Sequence, residues 1–123
     1  MEVKVEFDKP YITSLATYDQ NGTPADVFNV KDKRRVVVKL TAQDANYSLL
    51  DAMVDFNNGT IIRRTITAGN TESFSGQYGA PGTYTIRATV TDADGLVARE
   101  SVMIDVRDPN ATSFSPNNTN NNR

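Results

Sequence analysis

The chain has 123 residues, of which 38% are hydrophobic, and its formal net charge is −2 at pH 7. This length suits one β-sandwich of about 100 residues with segments left over at its ends. A slightly acidic chain has no overall basic field to attract nucleic acid, and no apolar run approaches the roughly 18 residues of a transmembrane helix. We therefore expect neither nucleic-acid binding nor membrane insertion.

The chain contains no Cys, His or Trp. Without Cys and His, the commonest catalytic triads, thiol chemistry and most zinc sites are excluded. We therefore expect a protein that is not an enzyme and binds no cofactor. Its first residues lack the basic and then apolar pattern of a signal peptide. Together with the lack of disulfides, this favours a protein that works where it is made or leaves by lysis, or a segment excised from a longer chain.

Residues 1–9 form a separate N-terminal arm in which apolar and charged residues alternate. Val3, Val5 and Phe7 share one face, which predicts a strand or an extended arm ahead of the domain at residues 10–108. Two roles remain open for the arm. It is either an extra edge strand on its own sheet or a strand added to a neighbour's sheet, and in the second case these three residues contact a partner.

The first half of the domain carries several strand and turn signals. We expect a turn at Asp19–Pro24, followed by a short strand at Val27–Val30. Lys31–Arg35 is a basic segment that is either a solvated loop or a contact to an acidic partner. The next long strand has three inward residues, which are Val36, Val38 and Leu40.

The middle of the chain predicts three further strands after an irregular connection from Ala42 to Leu50. The first ends at Phe56, and Asn57–Gly59 has the composition of a hairpin turn because Asn and Gly tolerate positive φ. The second strand, Ile61–Ile66, contains the pair Arg63-Arg64, so we expect one wet face. The third, Glu72–Tyr78, is anchored by Phe74.

The clearest pattern in the chain is the stretch from Tyr78 to Asp92. Pro81-Gly82 predicts a turn, and a strict alternation follows. Asp92–Gly95 then predicts a second turn, after which Val102, Ile104 and Val106 alternate with polar residues. The two runs predict a long hairpin. The inward residues of its first strand are Tyr84, Ile86, Ala88 and Val90.

The spacing Tyr-x-x-Pro-Gly-x-Tyr-x-Ile-x-x-x-Val-x-Asp over residues 78–92 resembles the C-terminal half of a PKD (polycystic kidney disease) domain. Upstream, residues 54–59 are similar to that family's Trp-Asp-Phe-Gly-Asp-Gly, with Val54 in place of the Trp and Asn57-Asn58 in place of Gly-Asp. The resemblance implies an all-β fold, an immunoglobulin-like antiparallel β-sandwich of PKD type, with its first strand at about Tyr11–Leu15. The residues that carry the fold motif are Asp55, Phe56, Gly59, Tyr78, Pro81, Gly82, Tyr84, Asp92 and Gly95.

Carboxylates are the only catalytic or metal-binding groups left to consider. Asp55, Asp92 and Asp94 lie in or beside loops, and two of them could face each other across one end of a sandwich, as a glycosidase pair would. The alternative, which we favour, is that they shape turns through side-chain-to-backbone bonds. Asp92–Gly95 also offers oxygen ligands that suit calcium, but the full calcium-loop pattern is missing, so we expect no metal site.

Residues 109–123 form an Asn-rich C-terminal tail with a single aromatic residue, Phe114. Such a segment cannot bury enough apolar surface to fold alone. We expect Phe114 to contact a partner.

These features predict a non-catalytic structural or binding protein whose partner is another protein. The setting we favour is a bacteriophage virion, in which the chain is an auxiliary, capsid-decorating protein made in the host cytoplasm; phage heads often carry immunoglobulin-like domains of this kind. The alternative is a PKD module of an extracellular adhesin or glycan-active enzyme, as the family resemblance implies, with a protein or a cell-surface glycan as its ligand.

Overall fold

The structure is a computed structural model that describes residues 9–29 and 35–108. Within these ranges every regular element is a β-strand, and there is no helix that could cross a membrane. The eight strands are β1 (Tyr11–Tyr18), β2 (Val27–Asn29), β3 (Arg35–Gln43), β4 (Leu49–Asp55), β5 (Ile61–Thr67), β6 (Thr71–Gln77), β7 (Gly82–Thr91) and β8 (Val97–Arg107).

The strands form two sheets, one with the order β1-β3-β6 and one with the order β2-β8-β7-β4-β5. The expected all-β sandwich of two sheets is therefore confirmed. One detail of the antiparallel expectation is wrong, because β2 runs parallel to β8. After a turn at residues 19–23 the chain runs antiparallel to the end of β1, where Pro24 forms a β-bridge with Tyr18. The chain then reverses direction again before β2, so that β2 runs parallel to β8.

The space between the sheets is filled by the residues that alternation assigned to it. Val36, Val38 and Leu40 are buried, as are Phe56 and Phe74. The predicted hairpin is β7 and β8, which pair from Gly82–Val106 to Thr91–Val97. Burying these apolar side chains is the main stabilising contribution to such a fold.

Two side-chain assignments need correction, one inward and one outward. Tyr84 packs against the core but is only half-buried, because its hydroxyl reaches out to the carbonyl of Ala80 at 2.8 Å. Arg64 does not belong to the wet face of β5. It pairs with inward-facing Ala52, and its guanidinium lies 4.4 Å from the ring centre of Phe74 while donating to the carbonyl of Ser73. Arg64 therefore covers the open edge between β5 and β6, as a cation over an aromatic face can.

Several boundaries differ from the sequence-based expectations. The first strand continues to Tyr18, three residues beyond the predicted Leu15. The irregular connection is shorter than predicted, because β3 extends to Gln43 and β4 starts at Leu49. The arm residues Val3, Val5 and Phe7, the basic residues 31–34 and the tail with Phe114 lie outside the described residues.

The sandwich has two chemically different ends. The tyrosine end contains Tyr78, Tyr84 and the turn after Phe56, and β8 finishes there at Arg107. The aspartate end contains Asp44, Asp92 and Asp94, and β1 begins there, because Tyr11 pairs with Gln43 just before Asp44. The described chain therefore enters at one end and leaves at the other.

Candidate functional site

The fold-motif residues of the tyrosine end form a buried aromatic cluster. Tyr78 donates its hydroxyl to the carbonyl oxygen of Phe56 at 2.6 Å, and the two ring centres lie 6.5 Å apart. The ring of Tyr84 is 4.5 Å from that of Tyr78. Gly76 lies directly under Phe56, where a Cβ would be 2.9 Å from the ring. The motif thus supports packing, and its buried groups are not accessible to a ligand.

The remaining motif residues at this end shape turns. Asp55 accepts the backbone N–H of Asn57 at 2.9 Å, a local bond that favours the turn. Asn57 and Gly59 both have positive φ, of 63° and 91°, which Asn and Gly adopt most easily. Pro81-Gly82 leads directly into β7.

The aspartate end is organised by two carboxylates. Asp92 is 5% exposed and accepts the N–H groups of Asp94 and Leu96, which closes the turn that Gly95 completes with φ 85°. Asp94 accepts the hydroxyl of Tyr47 at 2.9 Å. This bond is the main reason that the pKa of Tyr47 is raised, with smaller contributions from desolvation and from nearby Asp92 and Asp44.

The carboxylates do not form the pair that a glycosidase would need. Asp55 ends β4 and Asp92 follows β7, and since these strands are antiparallel the two residues lie towards opposite ends of the sandwich. Asp92 and Asp94 do lie together, but the Asp92 carboxylate closes the turn and the Asp94 carboxylate accepts the hydroxyl of Tyr47. Oδ2 of Asp92 and Oδ2 of Asp44 are buried without a hydrogen-bond partner. The described residues nevertheless contain no group of three His, Cys, Asp or Glu that could hold a metal ion.

The outer face of the five-stranded sheet carries several charged and apolar side chains that have no partner among the described residues. We call it the docking face and define it by the outward residues of β4, β5, β7 and β8 around Met53. Met53 pairs with Arg63 on one side and Thr89 on the other, and Thr89 in turn pairs with Arg99. Two shallow grooves of about 480 and 300 Å³ meet at Met53 and Thr89.

The docking face carries both acidic and basic side chains, but its arginines form no ion pairs with the acidic ones. Arg87 lies opposite Asp55 in the ladder, yet none of Arg63, Arg87 and Arg99 forms an ion pair or hydrogen bond with another described residue. Met103 is 60% exposed on the same face. Both methionines of the described ranges therefore lie here, beside three guanidinium groups that have no partner among the described residues.

Sequence reasoning did not select these residues. Alternation alone could have identified them as outward residues, because every residue between two inward positions of β4, β7 and β8 must point outward. Which outward residues share one face depends on strand order, and that order requires the tertiary structure.

No protein family profile matches the chain, and no curated protein matches it by sequence. Solved structures do match it by fold. One is the PKD domain of an M14-like peptidase from Thermoplasmatales archaeon SCGC AB-540-F20, with a TM-score of 0.67 and 15% identity, covering 82% of this chain and 98% of the archaeal one. Another is the PKD1 domain of Vibrio anguillarum Epp, with a TM-score of 0.56 and 21% identity, covering 85% and 100% of the two chains.

The chain has the fold of a PKD domain. The tyrosine end and the aspartate end are then the two ends of a PKD-type sandwich, and the docking face is the solvent side of its larger sheet.

Proposed function

We propose that the chain is a non-catalytic binding module that attaches to a larger protein assembly through the docking face. The observation that supports this is the composition of that face. Arg and Met are enriched at protein interfaces and Lys is depleted. The docking face has Arg63, Arg87 and Arg99, with Met53 and Met103 among them, and the two described Lys residues lie elsewhere, at Lys9 and on β3 at Lys39.

A protein partner fits this face better than a glycan does. Sugar rings are commonly held on exposed aromatic side chains, which give an apolar platform with a polar rim. Among the described residues, the outward positions of β4, β5, β7 and β8 contain no Phe or Tyr. A partner surface with carboxylates near apolar side chains would pair with the arginines and cover the methionines.

The assembly we propose first is a bacteriophage head, with the chain as a capsid-decorating auxiliary protein in the virion, which is the setting the sequence favours. The alternative is a module of an extracellular enzyme or adhesin. The archaeal relative in fold favours the alternative, because it is described as the PKD domain of an M14-like peptidase. In either setting the docking face is the attachment surface, and the tail residue Phe114 is a proposed additional contact.

The test is a double substitution on the docking face, Arg63→Ser with Arg87→Ser. Two interface arginines together contribute enough that we expect partner affinity to fall about tenfold or more. The matched control is Arg35→Ser with Lys39→Ser, which removes the same charge from the outer side of the three-stranded sheet. Binding is measured by co-sedimentation with capsids, and separately by pull-down with candidate envelope proteins and by binding to immobilised glycans.

Selective loss in the docking-face variant supports the proposal. Equal loss in both variants would mean that binding follows net charge and no particular surface. Unchanged binding in both variants would exclude the docking face. If the protein binds immobilised glycans and no protein partner, its ligand is a glycan and the proposal of a protein partner is wrong.

A further inference from the structure

A straight row of four outward residues crosses the docking face. Met53 of β4 pairs with Arg63 of β5 on one side and with Thr89 of β7 on the other. Thr89 in turn pairs with Arg99 of β8. Adjacent strands lie about 4.8 Å apart, so three strand spacings separate the backbones of the two arginines by about 14 Å. We call these four residues the arginine row. It has a guanidinium group at each end.

The arginine row forms a shallow trough. Its two middle residues, Met53 and Thr89, are half-buried, whereas Arg63 and Arg99 at its ends are exposed. Both middle residues line the groove of about 480 Å³ and also the groove of about 300 Å³. Arg63 lines the first groove and Arg99 lines the second. The two grooves are therefore continuous, with a partly apolar floor and a cationic group at each end.

The charges around the trough favour anionic groups at its ends. Arg87 is one strand away from Arg99 and two residues off direct pairing, so it adds a second guanidinium at that end. None of the three docking-face arginines forms an ion pair or hydrogen bond within residues 9–29 and 35–108. Asp51 and Asp55 are the outward residues of β4 on either side of Met53. They disfavour a further carboxylate beside the middle of the row.

We propose that the partner binds the arginine row with an extended segment of the pattern acidic-x-apolar-x-acidic, which deepens the proposed function and rests on it. In an extended chain, residues i, i+2 and i+4 point to one side, and residues i and i+4 are about 13 Å apart at about 3.3 Å per residue. This distance matches the row. The two carboxylates pair with Arg63 and Arg99, and the apolar side chain at i+2 covers Met53 and Thr89.

Other occupants match the row less well. Residues i and i+4 of a helix are only about 6 Å apart along its axis, so one helical turn does not span the two arginines. A polyanion supplies negative charge at the ends and has no apolar group for Met53 in the middle. A second copy that lays its own row along this one places arginine against arginine, whichever way the two rows run.

The test uses the full-length chain and three synthetic peptides of identical composition. The matching peptide contains Asp-Thr-Val-Thr-Asp, flanked by Ser and blocked at both ends. One isomer, Asp-Asp-Val-Thr-Thr, brings the two carboxylates together. The other, Asp-Val-Thr-Thr-Asp, turns the Val to the opposite side. Binding is followed by NMR of the isotope-labelled protein, and we expect the shifted amides to lie along the arginine row.

We expect the matching peptide to bind about twofold or more tightly than each isomer, because an exposed ion pair contributes a factor of about 1.4 to 5 in affinity. Arg63→Glu turns one attraction into a repulsion and should weaken this peptide about fivefold or more. A peptide with Lys-Thr-Val-Thr-Asp should show the opposite preference, since its Lys pairs with the new carboxylate. The matched control is Arg35→Glu on β3, which makes the same charge change on the other sheet. It should alter either affinity by less than about twofold at about 0.15 M salt.

An exchange of peptide preference in Arg63→Glu, with no exchange in Arg35→Glu, supports the proposal. Equal affinities of the three isomers, or equal losses in the two variants, would show that the peptides follow net charge only and would overturn it. Dextran sulfate that shifts the same amides and displaces the matching peptide, together with equal affinities of the isomers, would assign the row to a polyanion.

Failure of this inference can be separated from failure of the proposed function. If no peptide binds, but partner binding still depends on Arg63 and Arg87, the docking face is the attachment surface and the extended acidic segment is wrong. If the matching peptide binds along the row, but partner binding does not depend on these arginines, the inference about the row holds and the proposed function is wrong.

Discussion

The two ends of the sandwich are held by different chemistry. At the tyrosine end, Phe56, Tyr78 and Gly76 interlock, and a buried hydroxyl satisfies a buried carbonyl. At the aspartate end, Asp92 closes a turn through two backbone bonds, and one of its oxygens stays buried without a partner. The tyrosine end therefore depends on close side-chain packing, and the aspartate end depends on local hydrogen bonds. We expect substitutions at the tyrosine end to lower the stability of the protein more than substitutions at the aspartate end.

The largest effect is expected from Phe56→Ala at the tyrosine end. Phe56 is fully buried and contacts both Tyr78 and Gly76. Truncating a buried Phe removes apolar contacts and leaves a cavity, which costs about 3–5 kcal/mol of unfolding free energy. Urea denaturation measures it. If Phe56→Ala lowers the unfolding free energy by less than the aspartate-end variant Asp92→Ala does, the aspartate end is the more sensitive of the two.

Gly76→Ala is expected to destabilise by about 1–3 kcal/mol, because the new methyl group must displace a ring that is packed on all sides. Its Cβ would stand 2.9 Å from Cδ2 of Phe56. The same substitution in a Phe56→Leu background should cost less, since the flat ring is gone. Additive costs in the double variant would show that Gly76 is required for a reason other than the contact with Phe56.

Tyr78→Phe is expected to cost about 1–3 kcal/mol, because it leaves the carbonyl of Phe56 buried without its donor. Tyr84→Phe is the matched control. It removes a hydroxyl of the same kind, but its acceptor, the carbonyl of Ala80, is exposed and can bond to water. Thermal or urea unfolding should separate the two variants, and equal losses would contradict the buried role of Tyr78.

At the aspartate end, Asp92→Ala is expected to cost about 1–2 kcal/mol, because two backbone N–H groups lose their acceptor. Asp94→Ala is the control, since it removes only the exposed bond from Tyr47. Unfolding midpoints of the two variants test this. If Asp92→Ala is as stable as the wild type, the turn is held by its backbone alone.

The smallest expected effect is the pH dependence of stability that the titration of Tyr78 causes, and it arises only at high pH. Burial raises the pKa of its hydroxyl well above the ordinary value of 10, with smaller contributions from Tyr84 and Asp55. The folded state therefore holds this proton more tightly than the unfolded state does. Its contribution to stability is complete below about pH 10 and is lost as the pH rises above that value. Unfolding midpoints above pH 10 should fall less steeply for Tyr78→Phe than for the wild type, and parallel slopes would contradict this.

The resemblance to PKD domains implied the sandwich, whereas alternation and turn chemistry predicted its long strands, their inward faces and its turns. They placed Val38, Phe56 and Ile86 inside because the side-chain period of a strand is two, whatever lies beside it. They placed turns at Asn57–Gly59 and Asp92–Gly95 because those residues tolerate the required backbone angles. Both kinds of signal are local, so a single sequence contains them. Alternation also puts Arg63 and Arg64 on opposite faces of β5. It could not show that Arg64 covers the ring of Phe74, because that ring lies on a strand of the other sheet.

What the sequence determined by itself is thus the fold class, the inward faces of the long strands and the PKD-type motif. What only the tertiary structure decided is which distant residues meet. The outward methionines and arginines of the docking face come from four strands, and the pairing of β2 with β8 joins residues 27–29 to residues 105–107. Strand order is set by packing between residues far apart in the chain, and that information is not present in any local stretch of sequence.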